Sequence, residues 1–422
     1  MKILHLSTHD NFGGAARATN RIHKALELVG IESKMRVVNK FTSDKNVSNW
    51  YSKTILKKIR YELYQRWLIK VKRIWHHENK EMHSFGTYGI GIIDEVNSSD
   101  ADVVHLHWIS DMLSIEDIGK IRKPIVWTMH DMWAFCGAEH YALEDEKLRF
   151  VNGYLQDNRA NTETGPDFNR KTWMLKKKNW SKQNFSIVST SKWLYHCAKE
   201  SVLFYKSNHY LVPYPLDSNT IWYPINKKIA RTVLNLPQDS HLILMGADGG
   251  IGNPRKGGDL LKEAIIYLDR FSNLPVELII FGQSNPDNPS EWPKNVHWLG
   301  AVTDDRVLAL AYSASDVMVV PSRQEAFGQT ASESLACGTP VVAFDIGGLS
   351  DIVLHKENGW LSKPFDTRDM AQGIQWILED SQRHHKLAIK ARESVIDRYD
   401  PTKIALMYKE VYESALQYYN KS

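Results

Sequence analysis

Short apolar runs alternate with longer amphipathic stretches along this chain, and the alternation occurs twice. Residues 3–7 form an apolar run, followed by a loop with Gly13 and Gly14. Ala16, Thr19, Ile22, Ala25, Leu26 and Val29 then recur at helical spacing. Strand, glycine loop and helix open a doubly wound α/β unit. Further strands are expected at 102–107 (DVVHLH), 124–129 (PIVWTM) and 187–190 (IVST). Each is a short apolar run closed by polar residues, the form of a parallel strand buried on both faces. Prolines and polar residues at 212–223 (VPYPLDSNTIWY) predict a linker. The rhythm then resumes, with strands expected at 241–247, 276–282, 316–321 and 340–345 and helices between them, including 260–268 and 332–337. A closing helix is expected over 402–419, with Ile404, Met407, Tyr408, Val411 and Leu416 on one side.

The expected architecture is α/β with two doubly wound Rossmann-like domains facing a cleft, at 1–212 and 213–400. The segment 401–422 is expected to be a helix that packs back on the first domain. A length of 422 residues agrees, because one core seldom serves so long a chain. In open sheets of this kind ligands bind beyond the carboxyl ends of the strands. The informative motifs should therefore follow strands.

Residues 51–75 break the rhythm with eight Lys or Arg and one acid, Glu62. Ile55, Leu56, Ile59, Leu63, Trp67 and Ile74 trace a rough apolar stripe. This predicts a basic amphipathic helix over 53–73. It is either a solvated cover of the first domain or a patch for an anionic membrane surface.

Composition narrows the function classes. Charged residues make up 24% and the net charge is +4, so neither disorder nor a nucleic-acid partner is indicated. Cys136, Cys197 and Cys337 are far apart and no CxxC pair exists, which disfavours a disulfide framework or a zinc ribbon. The start, MKILHLSTHD, reads as a strand and not as a signal peptide. No apolar stretch is long enough to cross a bilayer. A cytoplasmic location is expected, with peripheral contact at the inner face of the membrane if the basic helix binds lipid.

The strongest motif is SRQEAFGQTASESLACG at 322–338, which follows a strand and enters a helix. Gly328 lies near the helix start, where backbone N–H groups can bind an anion. Glu325 sits on the loop and Glu333 in the first turns, eight residues apart. Carboxylates are acceptors for sugar hydroxyls. A second motif, GADGGIGNPRKGG at 246–258, holds six glycines and the cations Arg255 and Lys256. Glycines let backbone approach phosphates, and the cations would neutralise a diphosphate. The Gly-Lys-Ser/Thr of a P-loop and the GxGxxG fingerprint are both missing.

The string EAFGQTASESLACGTPVVA resembles the donor-site motif of glycosyltransferase family 4, the large retaining family with the GT-B fold. The resemblance implies that Glu325 contacts the donor sugar near the reacting carbon and that Glu333 holds the ribose hydroxyls. The backbone at Phe327, Gly328 and Gln329, with Thr330, would lie by the sugar and phosphates. Lys256 matches the family lysine for the diphosphate, with Arg255 beside it. Gly13 and Gly14 match a loop that faces phosphates or acceptor, with Arg17 and Arg21 nearby. His130, in THDMW after a strand, matches a histidine that reaches the donor sugar.

The implied reaction is transfer of a glycosyl group, with retention, from a nucleoside diphosphate sugar to an acceptor hydroxyl in polysaccharide or other glycan assembly. Glu325 and His130 orient the sugar, and the acceptor is a glycan or a lipid-linked sugar. Two other readings stay open. One is a nucleotide-sugar 2-epimerase-like isomerase of the same fold, and the other is a non-catalytic sugar-nucleotide binder. No metal and no separate cofactor are expected. His105, His107, His130, Cys136 and His140 fit no closed zinc spacing, and His105 and His107 are expected on opposite faces of their strand.

Overall fold

The computed structural model describes residues 1–49, 55–143, 148–246, 249–283 and 292–420. They form two units: Met1–Tyr214 together with the chain from Ile404 onward, and Pro215–Lys403.

The first unit is built on a parallel sheet of order β3-β2-β1-β4-β5-β6-β7. Its strands are β1 (Lys2–His9), β2 (Glu32–Asn39), β3 (Val47–Asn49), β4 (Val103–Leu106), β5 (Ile125–Met129), β6 (Phe185–Ser189) and β7 (Asn208–Leu211). The second unit has a parallel sheet of order β10-β9-β8-β11-β12-β13. Its strands are β8 (His241–Gly246), β9 (Val276–Phe281), β10 (Val296–Gly300), β11 (Val317–Val320), β12 (Val341–Phe344) and β13 (Gly359–Ser362). The strand order reverses between β1 and β4, and again between β8 and β11. These are the switch points where neighbouring loops leave the sheet in opposite directions and open a crevice.

The central strands β4, β5, β6, β11 and β12 are buried along their whole length. In the second unit Ile243, Leu278, Val319, Val342 and Phe344 pack against Leu261 and Ile265 of the helix Gly258–Phe271 and Ile374 of the helix Thr367–Leu378. Each such side chain contributes about 1.5–3 kcal/mol through burial. This core fixes the ends of β8 and β11, and with them the loops that carry the motifs.

The chain returns to the first unit in the helix Pro401–Asn420, which buries Ile404, Tyr408, Val411 and Tyr412. Met407 is 37% exposed, contrary to the expected stripe. The segment 212–223 lacks regular structure, yet Val212, Tyr214, Leu216 and Trp222 within it are buried.

The basic stretch is the helix Ile55–Ile74. Its expected apolar stripe needs correction. Val71 and Trp75 are buried with Phe85 and Ala138, while Trp67 and Leu68 pack against them half-buried. Ile59, Leu63 and Ile74 face outward. Lys53 and the side chains of Ile55 and Leu56 lie outside the described residues.

Candidate functional site

Five helices of nine or more residues begin under a side-chain cap. Asp167, Ser191, Asp304, Asp366 and Asp380 each accept a hydrogen bond from a backbone N–H of the first turn. Three of the other helices of eight or more residues differ. Gly14–Leu28, Gly258–Phe271 and Gln329–Ala336 begin after Gly13, Gly257 and Gly328, with no side-chain cap among the described residues. All three follow the switch-point strands β1, β8 and β11. Their first-turn N–H groups, at the positive end of the helix dipole, suit an anionic ligand.

In the second unit the loop after β11 meets the loop after β8. Lys256 Nζ lies 2.6 Å from Glu325 Oε2, and Arg255 NH1 is 3.9 Å from the same oxygen. Ser322 Oγ donates to that oxygen at 3.3 Å. Burial pushes the Glu325 carboxyl up, but Lys256 and then Arg255 outweigh it and hold the group below the usual carboxylate range. Both partners are largely buried, at 17% and 13% exposure, so their attraction is little screened.

Backbone contacts lock the two loops together. Arg323 N donates to Arg255 O at 2.7 Å, and Arg255 NH1 donates to Gln324 O at 3.0 Å. Gly257 has φ 69°, and a Cβ there would stand 1.9 Å from Pro321 O. Only glycine allows that approach. Gly328 has φ 107°, and a Cβ there would stand 2.7 Å from Leu349 Cδ2. Ala247 and Asp248 of the glycine motif lie outside the described residues.

Glu333 is buried on the helix Gln329–Ala336 and accepts a 2.8 Å hydrogen bond from Tyr312 OH. Phe327 is buried and its ring packs edge-on against Tyr399 at 5.6 Å, while Gln329 and Thr330 are half-buried. The structure thus brings Arg255, Lys256 and Glu325 into one cluster and sets Glu333 on the helix that begins at the end of the same loop.

Several contributors went unnoticed in the sequence. Tyr312 sits on the helix Asp305–Ala314 and carries no local signal for its bond to Glu333. Arg323 pairs with Asp259 at 2.6 Å and bonds Pro254 O at 2.7 Å, bracing the Lys256 loop. Gly348 N donates to Glu325 O at 2.8 Å. The Gly-Gly pair after β12 was the available signal for that contact.

The first unit gathers histidines at its own switch point. His5 and His105 are register partners on β1 and β4. His107 follows β4, and its ring centroid lies 4.0 Å from that of His105. The expectation of opposite faces is therefore wrong, because residues two apart along an extended strand share a face. His130, just past β5, has both ring nitrogens engaged. Its Nε2 is 3.1 Å from His107 Nδ1, and its Nδ1 is 2.6 Å from Tyr214 OH. Burial pushes its pKa down to about 4 against the pull of Asp131. Nitrogens of His5, His105 and His107 lie within 4.8 Å of one another. Those of His105 are spent on Tyr412 OH and Thr128 Oγ1, both at 2.8 Å. The cluster is thus knit by hydrogen bonds to protein groups. Asp131 bonds His140 Nδ1 at 2.7 Å, and His140 Nε2 bonds Ser84 Oγ at 2.8 Å. These bonds fix the loop after His130.

Residues 227–394 match the family model described as glycosyl transferases group 1. A curated relative, D-inositol 3-phosphate glycosyltransferase of Xylanimonas cellulosilytica, is 35% identical over 198 residues, which is 43% of this chain and 46% of that protein. The chain thus spans less than half the length of this relative. Among solved structures, sucrose-phosphate synthase from Thermosynechococcus elongatus matches with a TM-score of 0.64 and 20% identity, covering 100% of both chains. Anabaena HepE, solved in complex with UDP-glucose, matches with a TM-score of 0.66 and 15% identity, covering 98% of this chain and 100% of that one. The fold is GT-B.

Proposed function

We propose that this chain is a retaining, metal-independent glycosyltransferase that moves a sugar from a nucleoside diphosphate sugar to an acceptor hydroxyl. The observation that carries the reading is the Lys256–Glu325 pair beside uncapped helix starts at the switch point of the second sheet. A pre-formed cation and dipole ends answer a diphosphate, and a carboxylate beside them answers sugar hydroxyls. The family-model match over 227–394 and the UDP-glucose bound by HepE support a nucleotide-sugar donor.

In this reading Lys256 and Arg255 neutralise the leaving diphosphate, with the N–H groups at Gly328, Gln329 and Thr330 beside them. Glu333, oriented by Tyr312, accepts from the ribose hydroxyls. Glu325 accepts from the sugar. Gly13 and Gly14 present backbone N–H groups toward phosphate or acceptor, and His130 bonds the sugar. No separate cofactor takes part.

The acceptor belongs to a glycan or a lipid-linked sugar, in polysaccharide or other glycan assembly. The helix Ile55–Ile74 supports a membrane-surface role, because it exposes Ile59, Leu63, Ile69 and Ile74 beside Arg60, Arg66, Lys70 and Arg73. The corresponding location is cytoplasmic and peripheral at the inner face of the membrane. No described helix is long and apolar enough to cross a membrane.

Calorimetric titration with uridine, guanosine and adenosine diphosphates tests the donor site. One of them should bind with EDTA present, and the matching donor should turn over with its anomeric configuration kept, as read by proton NMR. Binding of none of the three would overturn the reading.

A further inference from the structure

A buried ring nitrogen in the first unit faces two carboxylates and bonds to neither. His23 lies on the helix Gly14–Leu28 and is 0% exposed. Its Nε2 stands 3.4 Å from Asp44 Oδ2 and 3.6 Å from Glu27 Oε1, yet has no hydrogen-bond partner among the described residues. A buried polar atom in that position calls for a reason. The ring is held from behind, because its Nδ1 is 2.6 Å from Oγ of the buried Ser33.

Two elements supply the converging atoms. His23 and Glu27 are one turn apart and share a face of the helix. Asp44 stands between β2 and β3, and Asn46 N donates to its Oδ1 at 2.8 Å, which leaves Oδ2 for the ring side. His23 Nε2, Glu27 Oε1 and Asp44 Oδ2 all lie within 4.8 Å of one another. A tetrahedral zinc ion with bonds of about 2.0–2.2 Å sets its ligand atoms about 3.3–3.6 Å apart. Both distances from Nε2 fall in that range. The imidazole nitrogen favours zinc over magnesium or calcium, which take oxygen ligands. The bond from Nδ1 to Ser33 is the outer support that a ligating imidazole needs.

Lys24 is the competitor. Its Nζ is 2.5 Å from Asp44 Oδ2 and 2.8 Å from Glu27 Oε2, and its side chain is half exposed. It neutralises the carboxylates from the solvent side, and its flexible stem lets the ammonium swing into water. Asn46 Nδ2 donates to Glu27 Oε1 at 2.5 Å, and a carboxylate oxygen has a second lone pair for a metal.

We propose that His23 Nε2, Glu27 Oε1 and Asp44 Oδ2 bind one zinc ion, or a similar transition-metal dication, in competition with Lys24. The ion clamps the helix Gly14–Leu28 to the chain that follows β2. That chain is also tied where Phe41 N and Thr42 N donate to the buried Asp10 carboxylate at 2.7 and 2.9 Å. His23 is nine positions beyond Gly14, about 13 Å along the helix from its uncapped start. The site therefore serves the stability of the first unit, and the transfer reaction proposed above stays metal-independent.

The test uses the full chain, stripped with EDTA and exchanged into buffer without chelator. Zinc, magnesium and calcium are titrated separately by calorimetry, and thermal unfolding is followed with and without zinc. One zinc should bind per chain, about 100-fold or more tighter than magnesium or calcium, and should raise the unfolding midpoint. His23→Gln and Asp44→Asn should each weaken zinc by about 100-fold and abolish the rise. Lys24→Ala should tighten zinc by about fivefold, because the competing cation is gone. Lys24 is half exposed, so this variant stays informative even where a ligand variant fails to fold. Three results would each overturn the proposal: no saturable zinc binding, zinc retained in folded His23→Gln or Asp44→Asn, or unchanged or weaker zinc binding in Lys24→Ala. None of these readouts depends on a sugar donor or an acceptor.

Discussion

Lys256 Nζ and Glu325 Oε2 are 2.6 Å apart although 69 positions apart in sequence, so the lysine of the proposed donor site is paired with a carboxylate of its own unit. A diphosphate must compete with Glu325 for that cation, or share it. Conversion of Glu325 to Gln removes the competitor's charge and keeps its shape. Glu325→Gln should therefore bind a nucleoside diphosphate as tightly as the unaltered protein or more tightly, while its turnover with the complete sugar donor falls by about 100-fold or more. Titration calorimetry and donor turnover, measured on the same preparation, test both halves. A variant with weakened diphosphate binding and intact turnover would remove Glu325 from the sugar side.

Lys256→Ala acts in the opposite sense. It leaves the Glu325 carboxylate largely buried and without its closest cation, although Arg255 stays 3.9 Å away. Loss of one member of a buried pair costs about 3–5 kcal/mol, and Arg255 should reduce that cost. The expected outcome is a lower unfolding midpoint together with diphosphate affinity reduced by about tenfold or more. The double variant Lys256→Ala with Glu325→Gln should regain stability but not affinity. Failure to regain stability would show that the pair is not what the single variant disrupts.

In the proposed reading, Glu333 and Tyr312 separate nucleoside recognition from sugar chemistry. Glu333→Ala should weaken binding of nucleoside and nucleotide alike. Tyr312→Phe removes one 2.8 Å hydrogen bond and should weaken it by about 1 kcal/mol, since only the orientation of the carboxylate changes. Unchanged affinity for the free nucleoside in both variants would move the ribose elsewhere.

The parts of the fold read from sequence share one physical property. β4, β5, β11 and β12 are buried on both faces, so their sequences are nearly continuous apolar runs. β2 alternates buried and half-buried positions, β10 is half-buried throughout, and both escaped notice. The Lys256 and Glu325 loops were legible because each pairs a special local conformation with a charge. The bond from Tyr312 to Glu333 and the run from His5 to Tyr214 were not legible. They join residues 21 to 102 positions apart, and only the packed sheets bring them together. His107 could have been placed beside His105 from strand periodicity alone.

The buried histidines make stability depend on pH with a definite sign. The folded pKa of His130 is pushed down to about 4 from an ordinary 6.5. The unfolded chain therefore binds more protons between those values, and stability falls as pH drops through that window. A shift of that size is worth about 3 kcal/mol for this residue alone. Chemical denaturation at stepped pH should show the loss, and His130→Asn should flatten it. Glu325 adds a second loss at lower pH. Its folded pKa is depressed below the ordinary 4.5, so its contribution is present above that value and disappears as pH falls through the folded pKa. Glu325→Gln should remove that lower step and leave the upper one.

The helix Ile55–Ile74 makes a prediction independent of the donor site. Its exposed Arg66 and Lys70 lie one turn apart beside exposed Ile69. A basic residue near an anionic bilayer contributes about 1 kcal/mol, and salt screens the attraction over about 8–10 Å. The chain should sediment with vesicles that contain phosphatidylglycerol, not with vesicles of phosphatidylcholine alone, and salt should release it. Arg66→Glu with Lys70→Glu should lower vesicle affinity by roughly 30-fold or more, the equivalent of about 2 kcal/mol for the two charges. Diphosphate binding should not change, because Arg255, Lys256 and Glu325 belong to the other unit. Equal binding to both vesicle types, or none, would leave this helix as a solvated cover, held by Val71 and Trp75 against Phe85.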